Sequence, residues 1–141
     1  MTFQQTVEFA DVTAGDLYRT YMSSQEHAAA INAPASIDPE IGGAFKIFGD
    51  DGVSGRNLAI KADKLIVQAW RGQAWRPRDA DSMLILVFED GPSGARIHLA
   101  HLNVPEHAYH MVNPNAWTER YWRPWKNYFS SKQDAAKARR S

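Results

Sequence analysis

Five histidines and a dense aromatic row are the residues here whose types and spacing bear on chemistry. His27, His98, His101, His107 and His110 are the only imidazoles, and no cysteine accompanies them. Three converging ligands are the minimum for a protein-held zinc ion. His98 and His101 lie three apart in an alternating segment, and a strand sends such a pair to opposite faces. His107 and His110 fall in a loop. No metal site is therefore expected. His101 shares a face with Ile97 and Leu99, which points it inward, either as a satisfied core residue or as a group able to polarise a bound ketone. Arg71, Arg76 and Arg78 run beside Asp79 and Asp81, either as a basic rim for an anionic head or partner, or as a solvated loop with local ion pairs. Glu8, Glu26, Asp38, Glu40 and Glu89 sit at strand edges or turns with no visible partner for acid–base work. Glu119 and Arg120 read as the wet face of a helix. No phosphate-binding glycine loop, nucleophile elbow or dinucleotide fingerprint occurs.

The aromatic row is "NAWTERYWRPWKNYF", Asn115 to Phe129, in which six of fifteen residues carry rings. Trp117, Tyr121, Trp125 and Tyr128 recur at intervals of four, four and three, one stripe of a helix, and Trp122 and Phe129 widen it. Rings of this size, with Trp70 and Trp75, serve either as core or as the wall of a ligand cavity. Pro124 within the helix removes one hydrogen bond and predicts a kink.

The elements that must position these groups follow from periodicity. Thr2 to Asp11 alternates as a strand. Thr13 and Asp16 form a capping-box pattern ahead of a short helix, and Ser23 or Ser24 caps a second that stops before Pro34. "GGAFKIFGDDG", "GRNLAIKAD", "KLIVQAWR", "SMLILVFED" and "ARIHLAHLNV" follow as strands joined by short turns, including Asp51–Gly52 and Gly91–Pro92–Ser93–Gly94, which is an antiparallel meander. Asn113–Pro114 reads as N-cap and first position of the last helix. The expected fold is α+β: a curved antiparallel sheet of about six strands, two short helices after the first, and a long C-terminal helix across the concave face. A pocket between sheet and helix is expected.

The whole is 141 residues, right for one domain, expected over 1–131 with 132–141 as a flexible tail. Equal numbers of acidic and basic residues, sixteen each, speak against nucleic-acid binding. The absence of cysteine excludes disulfides and thiol nucleophiles. No apolar run reaches the length of a membrane span, and the N-terminus lacks a signal-peptide pattern, so a cytoplasmic location is expected.

"IGGAFKIFGDDGVSG", "KLIVQAWRGQAW", "SMLILVFEDGPSGARIHLAHLNVP" and "AWTERYWRPWKNYF", in that order, resemble the activator-of-Hsp90-ATPase homologue 1-like family of the START-like (Bet v 1-like) superfamily. The resemblance implies a helix-grip fold and, for many members, an apolar cavity. It also implies an Hsp90-type chaperone as a partner, although the eukaryotic co-chaperones carry a separate N-terminal Hsp90-binding domain and the strand at Thr2 to Asp11 is expected to open the domain here. The leading expectation is a non-catalytic module for a small apolar or aromatic ligand, without cofactor. Its expected lining is Phe45, Ile47, Leu58, Ile60, Trp70, Leu84, Leu86, His101, Trp117, Tyr121 and Trp125. A chaperone regulator and an aromatase- or cyclase-like enzyme using His101 are the alternatives, and exposed strand edges leave a homodimer open.

Overall fold

A computed structural model describes residues 1–140. Seven strands form one antiparallel sheet: β1 (Phe3–Ala10), β2 (Ala35–Ile37), β3 (Ala44–Ile47), β4 (Val53–Lys61), β5 (Leu65–Arg71), β6 (Ser82–Gly91) and β7 (Gly94–Leu102). Their order is β1-β7-β6-β5-β4-β3-β2, so the first strand closes against the last. Helices α1 (Ala14–Met22) and α2 (Ser24–Ile31) carry the chain from one sheet edge to the other. The C-terminal helix begins as α3 (Pro114–Trp117), passes through a π turn (Thr118–Trp122), and continues as α4 (Arg123–Arg140). Among the described residues no helix is long and apolar enough to cross a membrane.

Local chemistry sets these boundaries. Thr13 and Asp16 satisfy each other's backbone N–H groups in a full capping box, and Ser23 and Asn113 cap the next two helices through their side chains. Strand β2 is the one strand that alternation did not predict. Three residues after Pro34 are too few to show a period, and it forms because Ile37 and Ala35 pair with Phe45 and Ile47. The helix also runs through the expected boundary at residue 132. Gln133 donates to Ala10 O at 3.2 Å and Lys132 pairs with Glu26 at 3.6 Å, which ties this stretch to β1 and α2.

The expected break at Pro124 coincides with a change of register. Its ring nitrogen has no proton to donate, and the π turn ends two residues before it, where the Arg123 N–H reaches back to Thr118 O. Gln5 of β1 secures the turn: its amide donates to Pro114 O at 3.1 Å and Thr118 Oγ1 at 2.8 Å, while its carbonyl accepts from Trp122 Nε1 at 3.0 Å.

The concave face carries the core. Ser82, Leu84, Leu86 and Phe88 of β6 and Ala95, Ile97, Leu99 and His101 of β7 all point inward and are buried. A β-bulge between Asn57 and Ala59 breaks the alternation in β4. Asn57 faces Gln68 inside, Leu58 is the extra residue, and pairing resumes at Ala59. This corrects the expected lining: Leu58 is 38% exposed and lines no interior surface.

At Gly55, β4 has no room for a side chain between β5 and the Phe45 ring of β3. A Cβ there would stand 1.9 Å from Ala69 O and 2.8 Å from the Phe45 ring. Backbone cannot yield cheaply, so Gly55→Ala should destabilise the fold by about 3 kcal/mol. Urea unfolding would measure it, and an unchanged midpoint would mean that the strands are not so closely apposed.

Candidate functional site

The aromatic stripe closes on itself as core. Trp122 and Trp117 stack at 5.7 Å and 18°, Trp125 meets Trp122 edge-on at 5.4 Å, and Phe9 and Phe129 complete the far end. Of the expected lining residues, Phe45, Ile47, Leu84, Leu86 and Trp125 are buried in this core, where their neighbours fill the space around them. Ile60 is half-buried at its margin. Trp70, Trp117 and Tyr121 border a cavity, and Phe45 also borders an open groove along the β2–β3 edge.

That cavity lies at one end of the sheet. A cleft of about 290 Å³ opens between the β3–β4 turn (Phe48, Gly52, Val53), the start of the β5–β6 loop (Gly72, Gln73, Ala74), Met111, Val112, Trp70 and Arg120. A recess of about 30 Å³ adjoins it, bordered by Ala116, Trp117 and Tyr121. The recess has about the volume of one water molecule, so the space beneath the helix is essentially shut. The cleft is close to the lower size of small-molecule pockets. A larger, open groove of about 510 Å³ follows the β2–β3 edge, where Lys46 and Asp50 pair across it at 3.4 Å.

Two backbone features shape the cleft. Phe48 has φ 66°, a left-handed conformation that a bulky side chain rarely adopts. Its N–H donates to Pro34 O at 2.9 Å, which holds the ring at the mouth. The π turn carries Arg120 and Tyr121, and such turns recur at functional positions.

Two buried histidines fasten the walls. His101 is fully buried. Its Nδ1 accepts from Trp117 Nε1 at 3.2 Å, so Nε2 carries the proton, 2.9 Å from Ser82 Oγ, which itself donates to Trp70 O at 2.7 Å. His27 Nδ1 lies 2.7 Å from the Tyr21 carbonyl, which can only accept, so Nε2 accepts from the Tyr121 hydroxyl at 2.8 Å. Both rings are thus neutral. Burial pushes His101 down to about 3, and pushes His27 down to about 4 against the opposing bond to Tyr21 O. Burial, and next the neighbouring Tyr21, raises the Tyr121 phenol. A second polar chain runs from the Tyr21 hydroxyl to Gln68 at 2.9 Å, then from the Gln68 amide to Asn57 at 3.0 Å. Asn57 in turn donates to Asp38 O and Glu40 O, pinning the β2–β3 loop.

The arginine-rich loop is tied to itself. Arg71 donates to Asp79 O at 2.6 Å, Arg76 O at 2.9 Å and Asp81 at 3.0 Å. Asp79 accepts from Arg76 N and from His107, each at 2.7 Å. The Arg76 N–H, and after it His107, holds the Asp79 carboxyl below its usual range. His98 lies outside, bonded to Glu89 and Thr6. Among the described residues no three metal-ligating side chains converge.

Phe48, Val53, Met111, Val112 and Arg120 border the cleft without having been expected there. All but Arg120 lie in turns and loops or at a strand end, where periodicity gives no face. Their signal was composition: large apolar side chains placed beside Gly49, Gly52 and Asn113 in segments that otherwise read as turns.

A curved antiparallel sheet gripping one long C-terminal helix, with a cleft at one end, defines a helix-grip, START-like domain. Within that class the chain belongs to the family of activator of Hsp90 ATPase homolog 1-like proteins, whose model matches residues 11–129. An uncharacterised protein of Schizosaccharomyces pombe is 30% identical over 119 residues, covering 84% of this chain and 34% of that protein. The chain therefore spans about a third of the length of this curated relative. The same fold occurs in an Hsp90 activator from Plasmodium falciparum, at 20% identity and a TM-score of 0.78 over 92% of this chain and 96% of that one. A protein from Mesorhizobium loti matches at 16% identity and 0.77, over 93% and 98% of the two chains.

Proposed function

We propose that this protein is a non-catalytic binding module that holds a small apolar or aromatic molecule in the cleft beside Trp70. The observation that carries this reading is the cleft's composition: Phe48, Val53, Trp70, Met111 and Val112 present apolar surface at its walls. Burial of such surface contributes about 25 cal/mol per Å², enough for a compact ring or chain to bind. An enzyme using His101 has less support, because both ring nitrogens are engaged and no surface of the ring reaches the cleft. No carboxylate borders the cleft either.

Native mass spectrometry of protein purified from its own host tests the proposal. A stoichiometric adduct, released and identified after denaturing extraction, is the expected result. An empty protein that co-purifies with a chaperone would count against it.

That outcome would favour the second reading, a regulator of an Hsp90-type chaperone. Family membership and the Plasmodium neighbour support it. So does the outward face of the sheet, where Val67, Ile85 and Ala100 stand in one cross-strand row with Met83 and Val87 exposed beside them. A change in the ATPase rate of the host Hsp90 on adding this protein would establish it.

A further inference from the structure

The cleft is lined by apolar side chains, Gln73 and a single charge. Arg120 is exposed at its mouth and makes no hydrogen bond, ion pair or ring contact among the described residues. Every other residue that lines the cleft or its recess is uncharged. The neighbouring acid is already committed: Glu119 pairs with Arg123 at 2.8 Å, one turn along the helix. Adjacent helix positions do not face each other, so Glu119 is not turned to Arg120. Arg71, at the end of β5 and next in the chain to Gly72 of the cleft, is bonded three times to the β5–β6 loop. One guanidinium is thus left unpaired against an apolar wall.

We infer that the ligand of this cleft is an amphipathic monoanion, a small carboxylic acid with an aromatic or acyl body, whose head group rests on Arg120 while its body lies against Trp70, Met111 and Val112. This rests on the reading of the cleft as a binding site. The planar fork of a guanidinium matches a carboxylate through two parallel N–H···O bonds. The apolar walls exclude part of the solvent that would screen the pair. A single cation balances a single negative charge, whereas a polyphosphorylated head would leave charge uncompensated at the mouth. The site's volume, about 290 Å³, fits one fused ring or a short chain.

The test uses an isosteric pair, 2-naphthoate and 2-naphthamide, titrated into the full-length protein and followed by ¹H–¹⁵N spectra. The indole N–H signals of Trp70 and Trp117 report on the cleft itself. The acid should bind about ten-fold tighter than the amide, the gain of one charge-assisted bidentate contact. Arg120→Met should remove that difference, so that acid and amide bind alike. Arg120 is exposed and unbonded, so this variant should fold. If acid and amide bind equally, or if Arg120→Met preserves the difference, the anion inference fails while the cleft reading stands. If neither ligand moves the Trp70 or Trp117 signals, the cleft reading fails and takes this inference with it.

Discussion

Lowering the pH from 7 to 4 should unfold this protein at far lower urea than at neutrality, with stability falling by about 3 kcal/mol per pH unit over much of that range. The cause is the pair of buried neutral histidines. In the unfolded chain each titrates near its ordinary value of about 6.5, whereas in the folded chain burial holds His27 at about 4 and His101 at about 3. Between these values the unfolded state binds two protons that the folded state refuses. A folded pKa depressed in a base means that the contribution is complete above pH 6.5 and disappears as the pH falls toward 4. Each histidine contributes about 1.4 kcal/mol per unit, which gives the combined slope. Urea midpoints at pH 7, 6 and 5 measure it. The variants His27→Gln and His101→Gln should start less stable at pH 7, since each breaks a buried hydrogen-bonded pair, but should show a flatter decline. A decline equally steep in the double variant would show that other groups set the acid limit.

Trp117→Ala should cost about 3–5 kcal/mol and at the same time enlarge the cavity. The indole stacks on Trp122, touches Trp70 and Tyr121, and donates to His101. It also forms the wall between the core and the small recess. Its removal leaves His101 Nδ1 without a donor and opens space beneath the helix that the native protein fills. The variant should therefore bind a compact apolar guest such as indole more deeply than the wild type, which calorimetric titration would detect. Trp117→Phe separates the two effects. It keeps most of the ring volume, so any loss, on the order of 1–3 kcal/mol, reports the buried hydrogen bond to His101. If Trp117→Ala is neither destabilised nor altered in guest binding, this ring does not hold the wall.

The sheet and the gripping helix were legible because periodicity is a physical signal. Alternation in β1 and β7 and the four-residue spacing of the rings each follow from a buried face, whereas β6 was legible as a strand only from its apolar run. The spacing at Thr13–Asp16 and at Asn113–Pro114 gave the helix starts for the same reason, since orphan N–H groups demand partners. Departures occurred where a single residue disturbs the count. The bulge at Leu58 adds one position to β4 and sends an expected lining residue to solvent. Arg120, read as part of a wet face, is exposed, and what the reading lacked is the cleft that opens beside it. The candidate site was less legible than the fold, because most of the cleft belongs to turns and loops. Phe45, Leu84, Leu86 and Trp125 are buried, yet sequence cannot distinguish an inward residue that meets its neighbours from one that faces a void. Asn57 and Gln68, polar residues in strands, gave no hint that they would complete a buried chain to Tyr21.

The π turn also fixes the helix's phase. A residue on an α-helix is offset from the next by about 100°, since 3.6 residues complete each turn. The wider turn at Thr118–Trp122 acts as one inserted position between two otherwise ordinary spirals. Trp117 and Trp125 are buried on its two sides, one against His101 and one against Phe9. Eight residues apart, they would stand about 80° out of step on an unbroken α-helix, and the wider turn takes up that difference. Excision of one residue from the turn would leave a continuous spiral with the two rings seven positions apart, within about 20° of one face, so their phase would survive the loss. The aromatic row is thus two half-stripes joined by a phase correction, in which eight residues span the two turns that seven would fill on a plain α-helix.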